Sequence, residues 1–282
     1  VKITEKIFVN EEVLLQRDTG VVKVASSASP RAQKFQELYE EYLASDDNSK
    51  DRLILPLFAS FERSYALLNF LKIFKNVKKL QIDPNSARSF NKYDENDENL
   101  LPNAGNLSAV LQRIKLENPD AAMEIIDALS SVVPSIKGVD ITDREIDGSM
   151  VFGIKEHGYK SVFPPGLISD GTIYLLSLIS SIYCRGERYG IQLIEEPERG
   201  LHPIAVQMIT EMFKESSSWE NPVFMTTHSE TVIRTCKIED IVFFNKKNGL
   251  TTSSRPEINS GDIDVPLDEA WLTNMLNGGL PE

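Results

Sequence analysis

Cysteine is scarce: Cys184 and Cys236 are the only two in 282 residues. That excludes a disulfide framework, and also a cysteine-based zinc site, which needs three or four ligands at short spacing. Both read as small hydrophobes, and a reducing cytoplasmic setting fits them. No run approaches the roughly 18 consecutive apolar residues of a membrane-spanning helix, so no membrane partner is expected. Positive charge is short as well, with 30 Lys and Arg against 42 Asp and Glu, a net charge of −12. A surface that grips nucleic acid or anionic lipid everywhere needs clustered cations and is excluded, while a local basic patch, and with it a nucleic-acid partner, is left open. A Gly-Lys pair occurs nowhere, so the phosphate-cradling pattern Gly-x-x-x-x-Gly-Lys-Ser/Thr is missing too. The start, Val1-Lys2-Ile3-Thr4-Glu5-Lys6, has neither an initiator Met nor the apolar core of a secretion signal, and the expectation is a chain that begins inside a longer protein.

What is present is ordinary in bulk: 41% hydrophobic and 26% charged residues, enough for one large domain or two modest ones. Residues 1–30 carry β-rich runs, Lys6–Val9, Glu12–Leu15 and Gly20–Val24, broken by turn residues, and predict a small antiparallel β piece. Residues 31–104 change character. Ala32, Phe35, Leu38, Tyr39, Tyr42 and Leu43 recur at helical spacing, as do Phe58, Phe61, Tyr65, Leu68 and Leu71, and the acidic run Asp94–Asn99 follows. This predicts a helical insertion and an acidic loop.

Residues 105–282 alternate helix and strand. Asn106 and Asn118-Pro119 are placed as helix starts, and Asp147-Gly148 as a hairpin turn. Helices are expected at Gly171–Cys184, Pro203–Ser216 and, capped by Ser229, up to about Thr235. Strands are expected at Ile191–Ile194, Val223–Thr226 and Ile241–Phe244, and a docking helix around Trp271, Leu272, Met275 and Leu276. Alternation of this kind implies a parallel sheet with helical cover.

Three motifs in this last part carry chemistry. Ile168-Ser169-Asp170-Gly171-Thr172 sits at a loop-to-helix junction, where a free hydroxyl and exposed amides can receive an anion; alone, it is also an ordinary N-cap. Ile191–Ile194 runs into Glu195-Glu196-Pro197-Glu198-Arg199-Gly200-Leu201-His202-Pro203, a buried strand ending in paired carboxylates. At the carboxyl end of a parallel strand one acid can hold a Mg²⁺ shell and the next can deprotonate water. Adjacent strand residues point to opposite sides, which does not suit a glycosidase pair. Phe224-Met225-Thr226-Thr227-His228-Ser229 delivers a histidine at another strand end, able to hydrogen-bond a phosphate or a water. No Gly-x-Ser-x-Gly elbow accompanies it, which argues against a Ser-His-Asp hydrolase.

Taken in order, ISDGT, LIEEPERGLHP and MTTHSE resemble the signature motif, the Walker B with D-loop, and the switch histidine of ABC-type ATPases, in particular the AAA-type ABC/SMC-like branch that includes OLD-like proteins. The resemblance covers about residues 105–250, and Asn106–Leu111 and Pro134-Ser135-Ile136 share it. It implies that Ser169, Asp170, Gly171 and Thr172 contact ATP held by a second subunit. Glu195 would bind Mg²⁺ through water and Glu196 would activate the attacking water. Glu198 to His202, with Gly200 and His202 near the nucleotide, would form a D-loop crossing the dimer, and His228 would sense the γ-phosphate. Glu195 departs from the usual Asp, and Asp170 and Thr172 depart from the Gly and Gln of transporter signatures.

The expected fold is therefore α/β, the C-terminal portion of a P-loop NTPase head of ABC type, with a parallel sheet, a small antiparallel β piece and a helical insertion. The resemblance implies ATP hydrolysis by heads that homodimerise around Mg²⁺-ATP, in anti-phage defence or a DNA transaction, with a separate effector or nuclease protein as partner. This chain alone is expected to be inactive, since the phosphate loop is missing. The alternative is a non-enzymatic dimerisation or partner-docking module derived from such an ATPase.

Overall fold

A computed structural model describes residues 4–9, 12–18, 21–24, 37, 65–92, 99–143, 148–184, 190–247, 249–256, 265–276 and 278. The chain forms two compact units, Val1–Asn76 and Val77–Glu282.

In the first unit, strands β1 (Thr4–Val9), β2 (Glu12–Asp18) and β3 (Val21–Val24) make an antiparallel sheet in that order, with a register shift between Ile7 and Phe8. This is the meander that the β-rich runs predict. Helix α1 (Tyr65–Lys75) lies within the helical insertion expected over 31–104, but from Val77 on that span belongs to the second unit and opens with a strand, and Lys72 and Lys75 in the last turn of α1 complement the helix dipole. Apart from Glu37, which is helical, the helix expected over 32–43, together with the aromatics Phe58 and Phe61 and the acidic run 94–98, lies outside the described residues.

The second unit opens with β4 (Val77–Leu80) and a short helix α2 (Pro84–Ala87). Asp83 caps α2 by accepting from the Asn85 and Ser86 amides, and the Ser86 hydroxyl, with the Asn85 amide second, holds its carboxyl below the usual range. Strand β5 (Asn91–Lys92) follows, then helices α3 (Leu107–Glu117) and α4 (Pro119–Val132). Asn118 caps α4 by accepting from the Ala121 amide, as its sequence context predicts. Asn106 does not cap α3. Its side chain is buried and bridges the preceding loop instead, accepting from the Leu101 amide and donating to the Asn99 carbonyl.

Strands β6 (Ile136–Asp143) and β7 (Ser149–Glu156) form an antiparallel hairpin, with β5 on the far side of β7. Gly148 adopts φ +67°, the left-handed backbone that a tight turn demands. The Ser108 hydroxyl takes the Phe152 amide at 3.0 Å and ties α3 to this hairpin.

Helix α5 (Asp170–Tyr183) is buried almost all round, from Ile173 to Ser181, which makes it the central helix of the core. Its buried serines remain satisfied because Ser177 and Ser180 donate back to Ile173 and Leu176 carbonyls four residues earlier. Strand β8 (Ile191–Glu195), helix α6 (Pro203–Ser216), strand β9 (Val223–Thr226) and helix α7 (Glu230–Thr235) complete the alternating part. Strand β8 pairs in parallel with both β4 and β9, giving the order β4-β8-β9.

This parallel sheet has two unlike faces. Leu80 and Ile194 are buried in the cluster that holds α5 and Phe213, and Gln192 on the same face donates to the Ser181 hydroxyl. Full burial of side chains of this size stabilises by about 1.5–3 kcal/mol each. The register puts Val77 beside Ile191, Lys79 beside Leu193 and Phe224, and Glu195 beside Thr226 on the opposite face. There Val77, Lys79, Glu195, Phe224 and Thr226 are exposed.

The strand expected at Ile241–Phe244 forms as β10 (Phe243–Lys247). Among the described residues it pairs with β11 (Leu250–Ser254) as a separate antiparallel hairpin rather than joining the parallel sheet. Helix α8 (Leu267–Leu272) buries Trp271 in a small second cluster with Ile233, Phe243, Ala270 and Leu276. Cys184 is buried, which pushes its thiol up to about 11, and Cys236 is half-buried with its thiol raised for the same reason.

Candidate functional site

Parallel pairing of β8 and β9 sets their carboxyl ends side by side. Glu195 pairs with Thr226, and the Glu196 amide donates to the Thr226 carbonyl at 2.8 Å. His228 follows two residues after Thr226, so the paired carboxylates and the histidine emerge at the same end of neighbouring strands. That end is where open parallel sheets bind ligands.

Glu195 is exposed and engaged on both oxygens. Lys79 Nζ lies 2.8 Å from Oε1, and Gln81 Nε2 donates to Oε2 at 3.4 Å. The Lys79 ammonium, helped by Gln81, holds the Glu195 carboxyl below the usual carboxylate range. Glu196 sits at φ +47°, left-handed backbone that a non-glycine residue seldom adopts outside a turn or a functional site. Its carbonyl is fixed by the Arg199 amide at 3.0 Å and by the Tyr174 hydroxyl at 3.4 Å. Burial pushes the Tyr174 phenol up to about 12, and the negative charge of Glu198 adds to the effect.

Glu198 joins the two strand ends. Its Oε1 accepts from the Thr227 hydroxyl at 2.8 Å and from the His228 amide at 3.1 Å. The Thr227 oxygen in turn accepts from the Ser229 amide at 2.9 Å. Ser229, expected to cap α7, makes no side-chain cap bond; its backbone is held by Thr227 instead. The imidazole of His228 stays on the exposed side.

The Ile168–Thr172 motif lies at the start of α5. Ser169 is the N-cap there, its Oγ accepting from the Thr172 amide at 3.2 Å and lying 2.8 Å from the Thr172 hydroxyl. Arg88, a residue the sequence reading did not single out, pins the loop before it. Its guanidinium donates to the Pro165 carbonyl at 3.0 Å and to the Ile168 carbonyl at 2.8 Å, and pairs with Asp170. The Asp170 side chain keeps 74% of its exposure and Leu167 is equally open at 74%.

Gly171 was expected to permit close approach by a ligand. The approach seen is internal: a Cβ added there would sit 2.9 Å from the Gly200 carbonyl oxygen. Gly200 itself has φ +71°. His202 caps α6, its Nδ1 accepting from the Ile204 amide at 3.3 Å, with Pro203 in the first turn. The structure therefore brings all the expected site residues into one connected region. Glu195, Glu196 and His228 are at the strand ends, Gly200 and His202 on the turn between β8 and α6, and Ser169, Asp170, Gly171 and Thr172 against that turn through Gly171.

Paired acids and a histidine thus stand at the carboxyl ends of neighbouring parallel strands of an α/β lobe, the place where such folds bind ligands. The family model described as "AAA domain, putative AbiEii toxin, Type IV TA system" matches residues 26–234, and the chain belongs to that family. The AAA-type relationship expected from the motifs thus stands. No curated protein matches the chain. Among solved structures the chain is similar to one described for ATP-driven dimerisation and DNA-stimulated activation of SMC ATPases, at 11% identity over 61% of this chain and 99% of that one, with a TM-score of 0.42. It is also similar to the Smc head domain with coiled coil and joint from Pyrococcus yayanosii, at 14% identity over 87% of this chain and 40% of that one, TM-score 0.41. A third likeness is the SMC head domain from Thermotoga maritima, at 15% identity over 54% of this chain and 52% of that one, TM-score 0.35.

Proposed function

We propose that these residues are the acid and histidine side of an ATP-hydrolysing head of the ABC/SMC-like kind, acting on Mg²⁺-ATP held between two copies of the chain. The observation that supports this best is the β8–β9 pair, which gathers Glu195, Glu196 and His228 at one end of adjacent parallel strands.

The donor chemistry fits the group it would hold. Among the described residues no cluster of three or more His, Cys, Asp or Glu could bind a metal by itself. Mg²⁺ does not require one, because it is commonly held through one or two carboxylates, water and substrate phosphates. Glu195 offers such a hard oxygen at the strand end. Bound Mg²⁺ would supply charge neutralisation on the triphosphate.

The chain's own residues then divide the work. Glu196 accepts the proton of the attacking water. His228 donates a hydrogen bond to a phosphate oxygen. Ser169 and Asp170, exposed at the start of α5 beside Leu167, and the half-buried Gly171 and Thr172 after them face the nucleotide of the second copy, and Gly200 and His202 follow the dimer seam. The anion-wrapping loop comes from outside these 282 residues. Strand β9 is at the edge of the parallel sheet among the described strands, and its exposed Phe224 leaves a seat for a further strand and its cover. ATP-driven closure would act on a separate effector or nuclease protein in the cytoplasm, and the family's description as a putative toxin supports a role in defence.

Sedimentation and phosphate release with Mg²⁺-ATP test the reading on the complete gene product that contains these residues. The expected result is hydrolysis with ATP-driven dimers, both lost in Ser169→Arg. Unchanged dimerisation in that variant would remove the Ser169 assignment. A parent that neither binds nor hydrolyses ATP would leave the docking-module alternative.

A further inference from the structure

Glu198 has no part in the hydrolysis steps assigned above, yet its carboxylate links two segments beyond the last backbone bond between the strands, that from the Glu196 amide to the Thr226 carbonyl. One is the turn after β8, closed by the Arg199 amide on the Glu196 carbonyl at 3.0 Å and the Leu201 amide on the Glu198 carbonyl at 3.1 Å. The other is the Thr227–Ser229 loop. A single oxygen, Oε1, takes both the Thr227 hydroxyl and the His228 amide, and the Thr227 oxygen passes the restraint on to the Ser229 amide. The backbone is therefore held at His228 and at the residue after it. The second oxygen, Oε2, is buried and has no hydrogen-bond partner in the structure among the described residues. Burying an acceptor without a partner is costly, so its placement calls for a reason. The bonds of the first oxygen supply it.

We infer that Glu198 is a positioning residue that locks the His228 loop to the turn after β8, so that the two move as one body. The inference rests on the reading of His228 as the phosphate-sensing group. It extends that reading, because the same turn carries Gly200, whose carbonyl abuts Gly171. A shift at the start of α5 is then passed through Gly200 and Glu198 to His228 within one subunit. The position of the histidine thus reports on the surface that would meet a second copy, as well as on its own nucleotide.

Amide hydrogen exchange, read residue by residue on the 282-residue chain, tests the lock without any nucleotide. In Glu198→Ala the His228 and Ser229 amides should exchange roughly ten-fold faster or more, as expected for loss of bonds to a charged acceptor, while Ile209 in α6 stays protected. Thr227→Val should speed exchange at Ser229 and leave His228 protected. Glu198→Gln keeps an acceptor oxygen and should stay within about three-fold of the parent at both amides. Unchanged exchange at His228 and Ser229 in a folded Glu198→Ala protein overturns the inference. If that variant unfolds, an unaltered Ser229 amide in Thr227→Val overturns it instead. On the complete gene product, Glu198→Ala should lower kcat with the KM for ATP unchanged, and Glu198→Gln should restore most of the loss. Equal kcat in parent and Glu198→Ala also overturns it. A parent without ATPase activity sinks the functional reading alone, and the exchange measurement still decides the lock.

Discussion

On one face of the β4-β8-β9 sheet Leu80, Gln192 and Ile194 are buried against α5 and its neighbours; on the other, Val77, Lys79, Glu195, Phe224 and Thr226 are exposed. The same strands supply both, in the same register. The buried face behaves as core, where the one polar side chain that β8 contributes, Gln192, donates to Ser181 while its Oε1 is buried without a partner among the described residues. The exposed face mixes apolar side chains with the Lys79–Glu195 pair at the end where ligand chemistry gathers. Parallel sheets ordinarily have both faces covered. The contrast teaches that a single residue step along β8 separates core from open surface: Ile194 is closed in by the lobe and Glu195 is not.

Glu196, the next residue on, gives the largest expected effect. Glu196→Gln in the complete gene product should retain ATP binding while turnover falls by about 10²–10⁴, the usual loss for a general base. Urea unfolding should give it the parent's midpoint. Hydrolysis at the parental rate would take the catalytic role away from this strand end.

On the buried face, Ile194→Ala should destabilise the lobe by about 2–5 kcal/mol, measured by urea unfolding of the chain, because the residue is closed in by core on that side. A loss well under that range would mean that the two faces are less distinct than their exposure implies.

The Lys79–Glu195 pair sharpens the comparison through pH. Lys79 lowers the folded titration of Glu195, so the contribution of the pair is present above the ordinary glutamate midpoint of about 4.3. That contribution is lost as pH falls through the lower folded midpoint. Lys79→Met should move the Glu195 midpoint back up, as followed by carboxyl-carbon NMR, with little change in stability since exposed pairs contribute little. A midpoint that stays low would assign the shift to another group.

Phe224→Ser should be the smallest perturbation, within about 0.5 kcal/mol by the same unfolding assay, as for exposed surface positions. A cost comparable to that of Ile194→Ala would show that the exposed face is covered in solution.

Much of this architecture is written locally in the chain. The LIEEPERGLHP and MTTHSE segments each carry their own strand end, turn and helix start, ISDGT carries a loop and a helix start, and the alternation around them marks the parallel sheet. Strand β4 was not legible. Val77-Lys78-Lys79-Leu80 follows a helical pattern directly, is too short to show a period, and acquires its meaning only from pairing with a segment far along the chain. Arg88 was equally hidden, because three of its partners, Pro165, Ile168 and Asp170, are distant in sequence and nothing in its own neighbourhood marks it. Asn106 and Ser229 have the residue type of helix caps, but the Asn106 side chain is taken by the preceding loop, and Ser229 makes no side-chain cap bond. The sequence likewise marked β10 as a strand without naming its partner, since strand propensity does not distinguish a parallel neighbour from a hairpin.

The left-handed backbone at Glu196 has a consequence for how this protein can change. Glycine is the residue that such a φ prefers, and replacing a side chain there by hydrogen relieves about 1 kcal/mol of steric cost. A library selected only for thermal resistance should therefore drift towards glycine at position 196, whereas one selected for turnover should hold the acid. The two selections would pull the same codon in opposite directions, which makes position 196 a reporter of which pressure a population of variants has experienced.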